Sequence, residues 1–586
     1  MTISFFTLAS RNYLSYAATL MQSLRAAYPE ARRVIGLVDA PDLQAAAGLD
    51  LAAEVLPWDE LAIPGAETMA LRYSILELNT AVKPFLFQHL LAQEGAGPVV
   101  YLDPDIVVYR RLEELERRLE AGVGLVLTPH ITSGLDDGLD PDELALLRSG
   151  VYNLGFLAVA PGVESDRLLT WWAERLQERC LVEPEAGLFV DQRWMDFAPA
   201  FHESTEILHH PGYNVAYWNL HERKLTAPEA GQPWLVNGAP LAFFHFSGVV
   251  PGDPTVFSKH QNRFRPDDLG PARALFEDYL QRLADNRCPE IGRIPYAYGR
   301  LPSGRPLHGL LRRAGRGAGP ADFEQRADQA DPAYGPLAPI TRLMAELWRE
   351  RADLQAAFDV TTALGRLAFL RWFAEFAERD LGLDRASVEH ALALTPLPAG
   401  GDAMITLTWR FDEAPPGDDG LLSVNGLCHG SQDVTLRLPP CARPPAALEV
   451  RPVDRPRALR LEALRLKAAG GQELWCWQGR LEDLSPTDLH LLPDDQGPLL
   501  VALGPEGRLK LPLNEGHLAA LSEGADLDCR LRLLAPDELL GHLLARLEEG
   551  KQQSAALGEA IAAMEASSSW RLTKPLRQAK TLLGKS

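Results

Sequence analysis

The sequence predicts an α/β amino-terminal domain with a largely parallel sheet, followed by a helical segment, a β-sandwich-like domain and a C-terminal helix. Three patterns indicate this order. Strand and helix signals alternate over the first 288 residues, which is typical of a parallel sheet with crossover helices. Runs with a two-residue period follow at 404–534. Leucines at three- and four-residue spacing then begin at Leu540.

The elements of the first domain follow from hydrophobic periodicity. Short apolar runs bounded by turn residues indicate strands, and longer amphipathic runs indicate helices. In chain order, the predicted strands are 3–8, 34–38, 99–102, 124–127, 156–159 and 241–246, and the predicted helices are 16–27, 80–91, 112–119 and 168–176. Open α/β sheets of this kind bind ligands at the ends of their strands.

Changes in composition divide the chain into six segments. Clusters of proline, glycine and arginine indicate a linker after the first domain, and Leu, Trp and Phe at helical spacing indicate packed helices after it. The predicted boundaries are 1–288 for the α/β domain, 289–339 for a linker or irregular segment, 340–400 for the helical segment, 401–535 for the β-sandwich-like domain, 536–566 for a short coiled coil and 567–586 for a basic amphipathic tail. The sandwich is compatible both with glycan binding and with an inert or interaction role.

Bulk properties narrow the class of function. The net charge of -21 and the isoelectric point of about 5.2 argue against general nucleic-acid binding. No run approaches the roughly 20 apolar residues that span a bilayer, and the N-terminus lacks the pattern of a signal peptide. The six cysteines form no C-x-x-C pair, so reduced thiols are expected and a zinc site is not. We therefore expect a cytoplasmic protein.

The segment Asp103-Pro104-Asp105 carries the strongest chemical signal. It separates two apolar runs, at 97–102 and 106–108, that both resemble buried strand sequence. On an extended backbone, alternation by two places both carboxylates on one side. Such a pair of hard oxygen donors suits a divalent cation shared with phosphates. The alternative is a surface turn, since Asp and Pro are turn residues.

Two further segments place polar residues beside predicted strands. Asn153 and Gly155 precede a strand, where an amide offers both donor and acceptor and a glycine permits close approach of a substrate. Asp191 and Gln192 follow a short apolar run and suit contacts to sugar hydroxyls or to developing positive charge. The alternatives are a plain turn at Asn153 and a helix cap at Asp191.

One histidine and one lysine are weaker candidates. His245 lies among phenylalanines, where a satisfied core histidine is the commoner outcome. Ser247 and Gly248 follow it directly and resemble a backbone loop around a phosphate. Lys83 lies near a helix start, where a cation would match a diphosphate, although an exposed lysine is the simpler interpretation.

The order of these segments resembles the GT-A glycosyltransferases of family 8, the group of glycogenin and the bacterial lipopolysaccharide galactosyltransferases. The segments that carry the resemblance are 10–13, Lys83, 103–105, 153–155, 191–192 and 245–248, and the similarity covers roughly 1–265. Each motif is short, and the specificity lies in their joint order. The resemblance implies a Rossmann-like GT-A fold for the first domain.

The resemblance also implies roles for individual residues. Asp103, Asp105 and His245 would be the ligands of Mn²⁺ or Mg²⁺, and Asp191 and Gln192 would lie at the reacting centre. The implied nucleotide-sugar-binding residues are Thr7, Asn12, Tyr13, Lys83, Asn153, Gly155 and Gly248.

The chain also departs from the family pattern. Residues 9–11 lack the acidic residue that usually precedes the Asn-Tyr pair, which bears on recognition of uracil. Leu154 replaces a small alanine in the sugar-binding segment. The family's K-P-W after the histidine loop is absent, and 249–253 stands there, with Lys259 and His260 further on as substitutes.

The implied enzyme is a metal-dependent hexosyltransferase that acts with retention. Its donor would be a nucleotide-diphosphate sugar, with a UDP-hexose favoured, and its acceptor a growing glycan or lipid-linked oligosaccharide in bacterial surface polysaccharide synthesis. One alternative is another nucleotide-sugar enzyme such as a pyrophosphorylase, although 8–13 lacks the glycine-rich loop this would need. The other is a non-catalytic glycan-binding or scaffold protein.

The C-terminal end adds an expectation about partners. The imperfect coiled coil predicts a homodimer, weakened by Gly550 and Ser554. The tail is basic and apolar within an acidic chain, which favours an anionic membrane surface or an assembly complex as its partner. Residues 569–576 resemble tails of bacterial surface-polysaccharide glycosyltransferases, so a peripheral location at the inner face of the membrane is expected. A frayed terminus is the alternative.

Overall fold

The computed structural model describes residues 2–229, 232–334, 338–394, 403–411, 422–480, 483–492, 499–504, 507–535 and 538–539. The chain forms two compact units that divide after Glu324. The basic tail and all but two residues of the predicted coiled coil lie outside the described residues, and both stay predictions. Among the described residues, no helix combines the length and the apolar character needed to cross a bilayer.

The first unit alternates strands and helices along most of its length. Its strands are β1 (Ser4–Ala9), β2 (Arg32–Leu37), β3 (Glu54–Pro57), β4 (Val99–Leu102), β5 (Ile106–Val108), β6 (Leu125–Pro129), β7 (Tyr152–Val159), β8 (Val182–Glu183), β9 (Leu188–Phe189), β10 (Thr205–Ile207), β11 (Leu225–Thr226), β12 (Leu235–Val236), β13 (Ala239–Pro240) and β14 (Phe243–His245). Its helices are α1 (Leu14–Ala27), α2 (Ala66–Arg72), α3 (Ile75–Ala81), α4 (Lys83–Leu91), α5 (Glu113–Glu120), α6 (Glu143–Ser149), α7 (Val163–Arg179), α8 (Ala198–Phe201), α9 (Ala272–Asp285), α10 (Cys288–Ile291) and α11 (Gly309–Ala314).

A seven-stranded sheet forms the centre of this unit, in the order β10-β6-β7-β4-β1-β2-β3. All of its neighbouring pairs are parallel except those of β7, which runs antiparallel to β4 and β6. Apolar cores cover both faces, which is why strands such as β4 are buried at every position. The predicted α/β fold class, with a mainly parallel sheet, is confirmed.

The topology brings several strand ends to one edge of the sheet. The parallel strands β1, β2 and β4 end at this edge, and β7 begins there because it runs in the opposite direction. A separate two-stranded ribbon pairs β14 with β5 and sets His245 opposite Ile106. The residues that follow β4 and those that end β14 are therefore neighbours.

The segment predicted as a linker at 289–339 contains helix in the structure. Its α11 lies in the first unit, where the buried Arg312 donates hydrogen bonds to the carbonyls of Ala70 and Leu71 at the end of α2. Carbonyls in the last turn of a helix have no partner within the helix, so a guanidinium nitrogen that donates to both of them stabilises the helix end. Helix α12 (Phe323–Asp328) spans the division between the units.

The second unit contains helices followed by two antiparallel sheets, as the sequence predicts. Its helices are α13 (Arg342–Glu350), α14 (Ala352–Ala357), α15 (Ala363–Leu381), α16 (Arg385–Leu392) and α17 (Glu515–Ala520). Its strands are β15 (Ala403–Arg410), β16 (Leu422–Leu427), β17 (Gly430–Leu438), β18 (Ala447–Arg451), β19 (Arg457–Ala468), β20 (Glu473–Cys476), β21 (Ser485–Thr487), β22 (Leu489–Leu492), β23 (Leu499–Ala502), β24 (Arg508–Lys510) and β25 (Ala525–Leu533). One sheet has the order β16-β15-β18-β24-β21, the other β17-β25-β19-β23-β22, and both contribute to one apolar core.

Candidate functional site

Two carboxylates and one imidazole converge at the shared edge of the sheet. Asp103, Asp105 and His245 each offer a ligand atom, and these atoms all lie within 4.8 Å of one another. His245 Nε2 is 3.0 Å from Asp105 Oδ1 and 3.6 Å from Asp103 Oδ2. The imidazole is buried and the carboxylates are partly exposed, so the group opens toward solvent on its acidic side. Oxygen donors on two sides with one imidazole nitrogen fit a divalent cation such as Mn²⁺.

The backbone at Asp103-Pro104-Asp105 is a turn. The prediction of an extended segment is wrong here, because the Ile106 N–H donates to the Asp103 carbonyl and closes a tight turn between β4 and β5. Pro104 lies at the second position of that turn, which its fixed φ favours. The alternative of a turn is therefore the correct description of the backbone, and this turn presents both carboxylates to His245.

Burial and mutual charge perturb the pKa values of this cluster. Burial raises the pKa of Asp103 above its ordinary value, although the charges of Lys83 and His245 oppose the shift. Burial alone would lower the pKa of His245, but the carboxylates of Asp105 and Asp103 outweigh it and raise the pKa. A concentration of negative charge at a buried edge is the setting in which a cation binds favourably.

Lys83 and Asp191 form a second, fully buried charged group. Lys83 Nζ lies 2.5 Å from Asp191 Oδ2 and donates to the Leu154 carbonyl at 3.0 Å. The same ammonium lies 4.0 Å from the centre of the Tyr101 ring, and the Tyr101 hydroxyl donates to Asp103. Tyr101 thus links this pair to the metal-ligand candidates. Burial raises the pKa of Asp191, and the charge of Lys83 opposes that shift.

The sugar-side candidates lie around the start of β7. Gln192 accepts from the Leu154 N–H at 3.1 Å and donates to the Ser149 carbonyl at 2.9 Å, so its amide ties α6 to β7. Val190, directly before Asp191, has a φ of 42°, which is strained for a β-branched residue. A strained backbone of this kind persists only where the surrounding contacts hold the residue in place.

Gly155 has a specific packing role. A Cβ built on it would lie 2.3 Å from His245 Cε1 and 2.7 Å from His245 Nδ1. The sequence suggested that this glycine permits approach of a substrate. In the structure the His245 ring itself occupies the space above the Cα, so the glycine is what allows the imidazole to reach the carboxylates.

The nucleotide-side candidates surround the end of β1. Thr7 is fully buried in β1, and Asn12 accepts a hydrogen bond from Ser10 Oγ at 2.7 Å. Tyr13 stacks on Tyr16 with ring centres 4.3 Å apart and stays partly exposed. Burial, followed by the charge of Asp105 among other neighbours, raises the pKa of Tyr13.

The loop after β14 brings Gly248 into contact with the segment 258–260. Gly248 has a φ of 77°, and a Cβ there would lie 2.5 Å from both Ser258 Oγ and His260 Cδ2. The Lys259 N–H donates to the Gly248 carbonyl at 2.9 Å. Lys259 and His260 therefore do return to the glycine of the histidine loop, although they are 11 and 12 residues away along the chain.

Sequence reasoning missed two features of this edge. Asp39, just after β2, is buried and accepts from the backbone of Arg11 and Ala297 while pairing with the Arg11 guanidinium. Its position after the run Val34–Val38 was a usable signal, since it matches the strand-end rule applied elsewhere. Asn214 lies in the segment between β10 and β11 and donates to Asn153 at 3.0 Å. That segment has no periodic pattern from which its placement follows.

Comparisons with known proteins give distant relatives. No family model matches the chain. Two uncharacterized proteins of Bacillus subtilis strain 168 are similar in sequence: YfnF is 27% identical over 175 residues, covering 28% of this chain and 55% of YfnF, and YfnD is 26% identical over 141 residues, covering 23% and 43%. The chain spans about half the length of the curated relatives it matches.

Three solved structures of glycosyltransferases align with about half of this chain. The galactosyltransferase LgtC, in complex with donor and acceptor sugar analogs, aligns at 16% identity over 47% of this chain and 95% of its own, with a TM-score of 0.29. The bifunctional WbbM aligns at 14% identity over 48% and 50%, with a TM-score of 0.30. GlyE of Streptococcus pneumoniae TIGR4 aligns at 14% identity over 50% and 64%, with a TM-score of 0.28.

Proposed function

We propose that this chain is a metal-dependent glycosyltransferase that moves a hexose from a nucleotide-diphosphate sugar to a glycan or lipid-linked acceptor. The observation that carries the proposal is the convergence of Asp103, Asp105 and His245 at the strand ends of an α/β sheet. The sequence resemblance to family 8 assigns the same three residues to a metal. A UDP-hexose is the favoured donor, and the acceptor belongs to bacterial surface polysaccharide synthesis.

Charge balance supports a divalent cation at this edge. When ionised, Asp103, Asp105 and Asp191 carry three negative charges, and the ammonium of Lys83 balances one of them. Two positive charges would neutralise the remainder. A bound Mn²⁺ or Mg²⁺ would supply Lewis-acid stabilisation of the charge that develops on the diphosphate leaving group.

Binding of the nucleotide and stabilisation of charge at the sugar are assigned to side chains around the cation site. Thr7, Asn12, Tyr13 and Gly248 are proposed to hold the nucleotide, with the partly exposed Tyr13 ring, stacked on Tyr16, as a surface for the base. The positive charge of Lys83 favours the ionised, negatively charged form of Asp191, so that this carboxylate can face positive charge at the reacting carbon of the sugar.

The sugar pocket is proposed to lie between Asp191 and the start of β7. Asn153, Gly155 and Gln192 hold this strand end in place, and Gln192 is proposed to lie beside the reacting carbon. The acceptor hydroxyl would attack from the side of the departing phosphate, which gives retention of configuration. The phosphate oxygen leaves with the electron pair of the glycosidic bond, and the acceptor proton transfers to that phosphate.

Donor hydrolysis tests the proposal. Wild type, Asp105→Asn and the exposed-site control Asp166→Asn are incubated with Mn²⁺ and a panel of nucleotide sugars. We expect release of one nucleoside diphosphate by wild type and Asp166→Asn, and a loss of about 100-fold or more in Asp105→Asn. Turnover that resists a chelator, or is unchanged in Asp105→Asn, would refute the metal role. Inactivity of the wild type on every donor would favour a scaffold.

The basic tail at 567–586 is proposed to dock the enzyme on the inner face of the membrane or on an assembly complex. Its support is the local inversion of charge in an acidic chain. Flotation with liposomes rich in anionic lipid, with and without these residues, tests the membrane partner. Equal flotation of both proteins would remove it.

A further inference from the structure

A buried hydrogen-bond network lies directly behind the imidazole of His245. His245 Nδ1 is 3.1 Å from Asn214 Oδ1, on the side of the ring opposite the carboxylates. Asn214 Nδ2 donates to Thr128 Oγ1 at 2.9 Å and to Asn153 Oδ1 at 3.0 Å. Asn153 Nδ2 is 3.2 Å from His130 Nε2, which extends the network away from the site. All five side chains are buried.

The direction of every hydrogen bond in this network follows from one backbone group. The Gly155 N–H can only donate, and it lies 3.1 Å from Asn153 Oδ1, so that atom is an oxygen acceptor. Asn214 must then present its NH₂ group to Asn153, and its two hydrogens go to Asn153 and Thr128. This leaves the carbonyl oxygen of Asn214 facing His245. An oxygen acceptor there requires a proton on His245 Nδ1.

The other end of the network agrees with this assignment. Asn153 Nδ2 donates, so His130 Nε2 must be the acceptor and His130 carries its proton on Nδ1. His130 Nδ1 indeed lies 3.2 Å from the Val151 carbonyl, which accepts only. One consistent set of donors and acceptors therefore runs from His130 to His245 without a conflict.

We propose that Asn214 is a positioning residue that fixes His245 in the tautomer with its proton on Nδ1, and so presents the Nε2 lone pair to a divalent cation. The inference rests on the proposed function, because it assigns a purpose to the metal ligand. A metal-ligating histidine commonly donates its second ring N–H to a fixed acceptor, which sets the orientation of the ring. Here the acceptor is an amide whose own orientation is set by Asn153 and Thr128.

The backbone of Asn214 explains why an asparagine fits this position. Its φ is 51°, in the left-handed region that asparagine tolerates better than most residues. Asn219 holds that backbone by donating to the Asn214 carbonyl at 3.0 Å and to the His130 carbonyl at 3.1 Å. The side chain of Asn214 is thereby aimed at His245 from a rigid segment.

Mn²⁺ binding to the full-length chain tests the inference without measuring turnover. Free Mn²⁺ is followed by electron paramagnetic resonance during titration of wild type, Asn214→Gly and Asn214→Asp. Glycine removes the amide without straining the left-handed backbone, and aspartate keeps an oxygen for His245 Nδ1. Asn237→Gly is the matched control, because Asn237 has a φ of 49° and is exposed away from the site.

We expect Asn214→Gly to weaken Mn²⁺ binding by about 10- to 100-fold, while Asn237→Gly stays near wild type. Asn214→Asp keeps an acceptor for His245 Nδ1 but turns its second oxygen toward the acceptor Asn153 Oδ1, so we expect its affinity to lie between those of Asn214→Gly and wild type. The decisive comparison uses a His245→Ala background. If Asn214 acts through the imidazole, Asn214→Gly causes no further loss of affinity in that background.

Two outcomes overturn the inference while leaving the proposed function standing. One is wild-type Mn²⁺ affinity in Asn214→Gly. The other is an equal loss of affinity with and without His245, which would mean that the substitution disturbs the site generally. A wild-type protein that binds no Mn²⁺ is a different result, since it refutes the proposed metal site itself and the inference with it.

Discussion

Replacing Gly155 by alanine places one methyl group where the His245 ring now packs. The new Cβ would lie 2.3 Å from His245 Cε1 and 2.8 Å from Asn153 Oδ1. Ordinary contact requires a separation larger by about 1 Å, so the ring must move or the strand must shift. The strand resists because the Asp103 N–H donates to the Gly155 carbonyl at 2.8 Å. The ring is therefore the part that moves.

The expected magnitudes follow from this geometry. Overpacking of a rigid site costs about 1–3 kcal/mol of the free energy of unfolding. A shift of the ring by about 1 Å also moves Nε2 away from the carboxylates, and we expect about a 10- to 100-fold loss of Mn²⁺ affinity. Urea unfolding and Mn²⁺ titration measure the two effects separately.

Gly162→Ala is the matched control for this substitution. A Cβ at Gly162 would have no atom within 4 Å, and we expect its stability to stay within about 0.5 kcal/mol of wild type. Wild-type stability together with wild-type Mn²⁺ affinity in Gly155→Ala would refute the packing role assigned to this glycine.

Two further predictions concern buried charge. Burial lowers the pKa of His130 to about 4, so the folded protein keeps this imidazole neutral. The unfolded chain binds a proton at the ordinary pKa of 6.5, so the neutral ring contributes its full share to the free energy of unfolding only above that pH. That share is lost as the pH falls from 6.5 through about 4. We expect His130 to account for about 2 kcal/mol of the stability lost between pH 7.5 and 5 in urea unfolding, so the loss is smaller by that amount in His130→Gln and unchanged in the exposed control His209→Gln. Removing Lys83 leaves the Asp191 carboxylate buried without its partner, so Lys83→Met should cost about 3–5 kcal/mol and Lys83→Met with Asp191→Asn much less.

Each of these has a clear contradicting result. An identical pH dependence in wild type and His130→Gln would show that protonation of this ring does not oppose folding. A double variant as unstable as Lys83→Met alone would mean that the cost comes from lost packing of the lysine stem and not from an uncompensated carboxylate.

Two of the three metal-ligand candidates followed from the residues themselves, because Asp103 and Asp105 lie directly after the apolar run that forms β4. His245 ends β14, and only the resemblance to family 8 assigned it to the same cation. The convergence of their ligand atoms agrees with that prediction. The local backbone did not follow, since the same residues that favour an extended strand end, Asp and Pro, also favour the turn observed.

The supporting residues depend on tertiary contacts that no local pattern encodes. Asn214 meets His245 and Asn153 only after β7 and β14 are both in place, and its segment has no helix or strand period. Gly155 was found from its neighbour Asn153, but the ring that fills the space above it comes from ninety residues later in the chain. Asp39 was accessible to the strand-end rule and was overlooked.

The most direct measurement is Mn²⁺ binding to the full-length protein with and without UDP. If Asp103, Asp105 and His245 hold a cation that is shared with a diphosphate, wild type binds one Mn²⁺ per chain and UDP tightens that binding. The variant with both Asp103→Asn and Asp105→Asn then binds no Mn²⁺ at this site. Absence of Mn²⁺ binding to wild type at millimolar concentration, or unchanged binding in the double variant, would contradict the site.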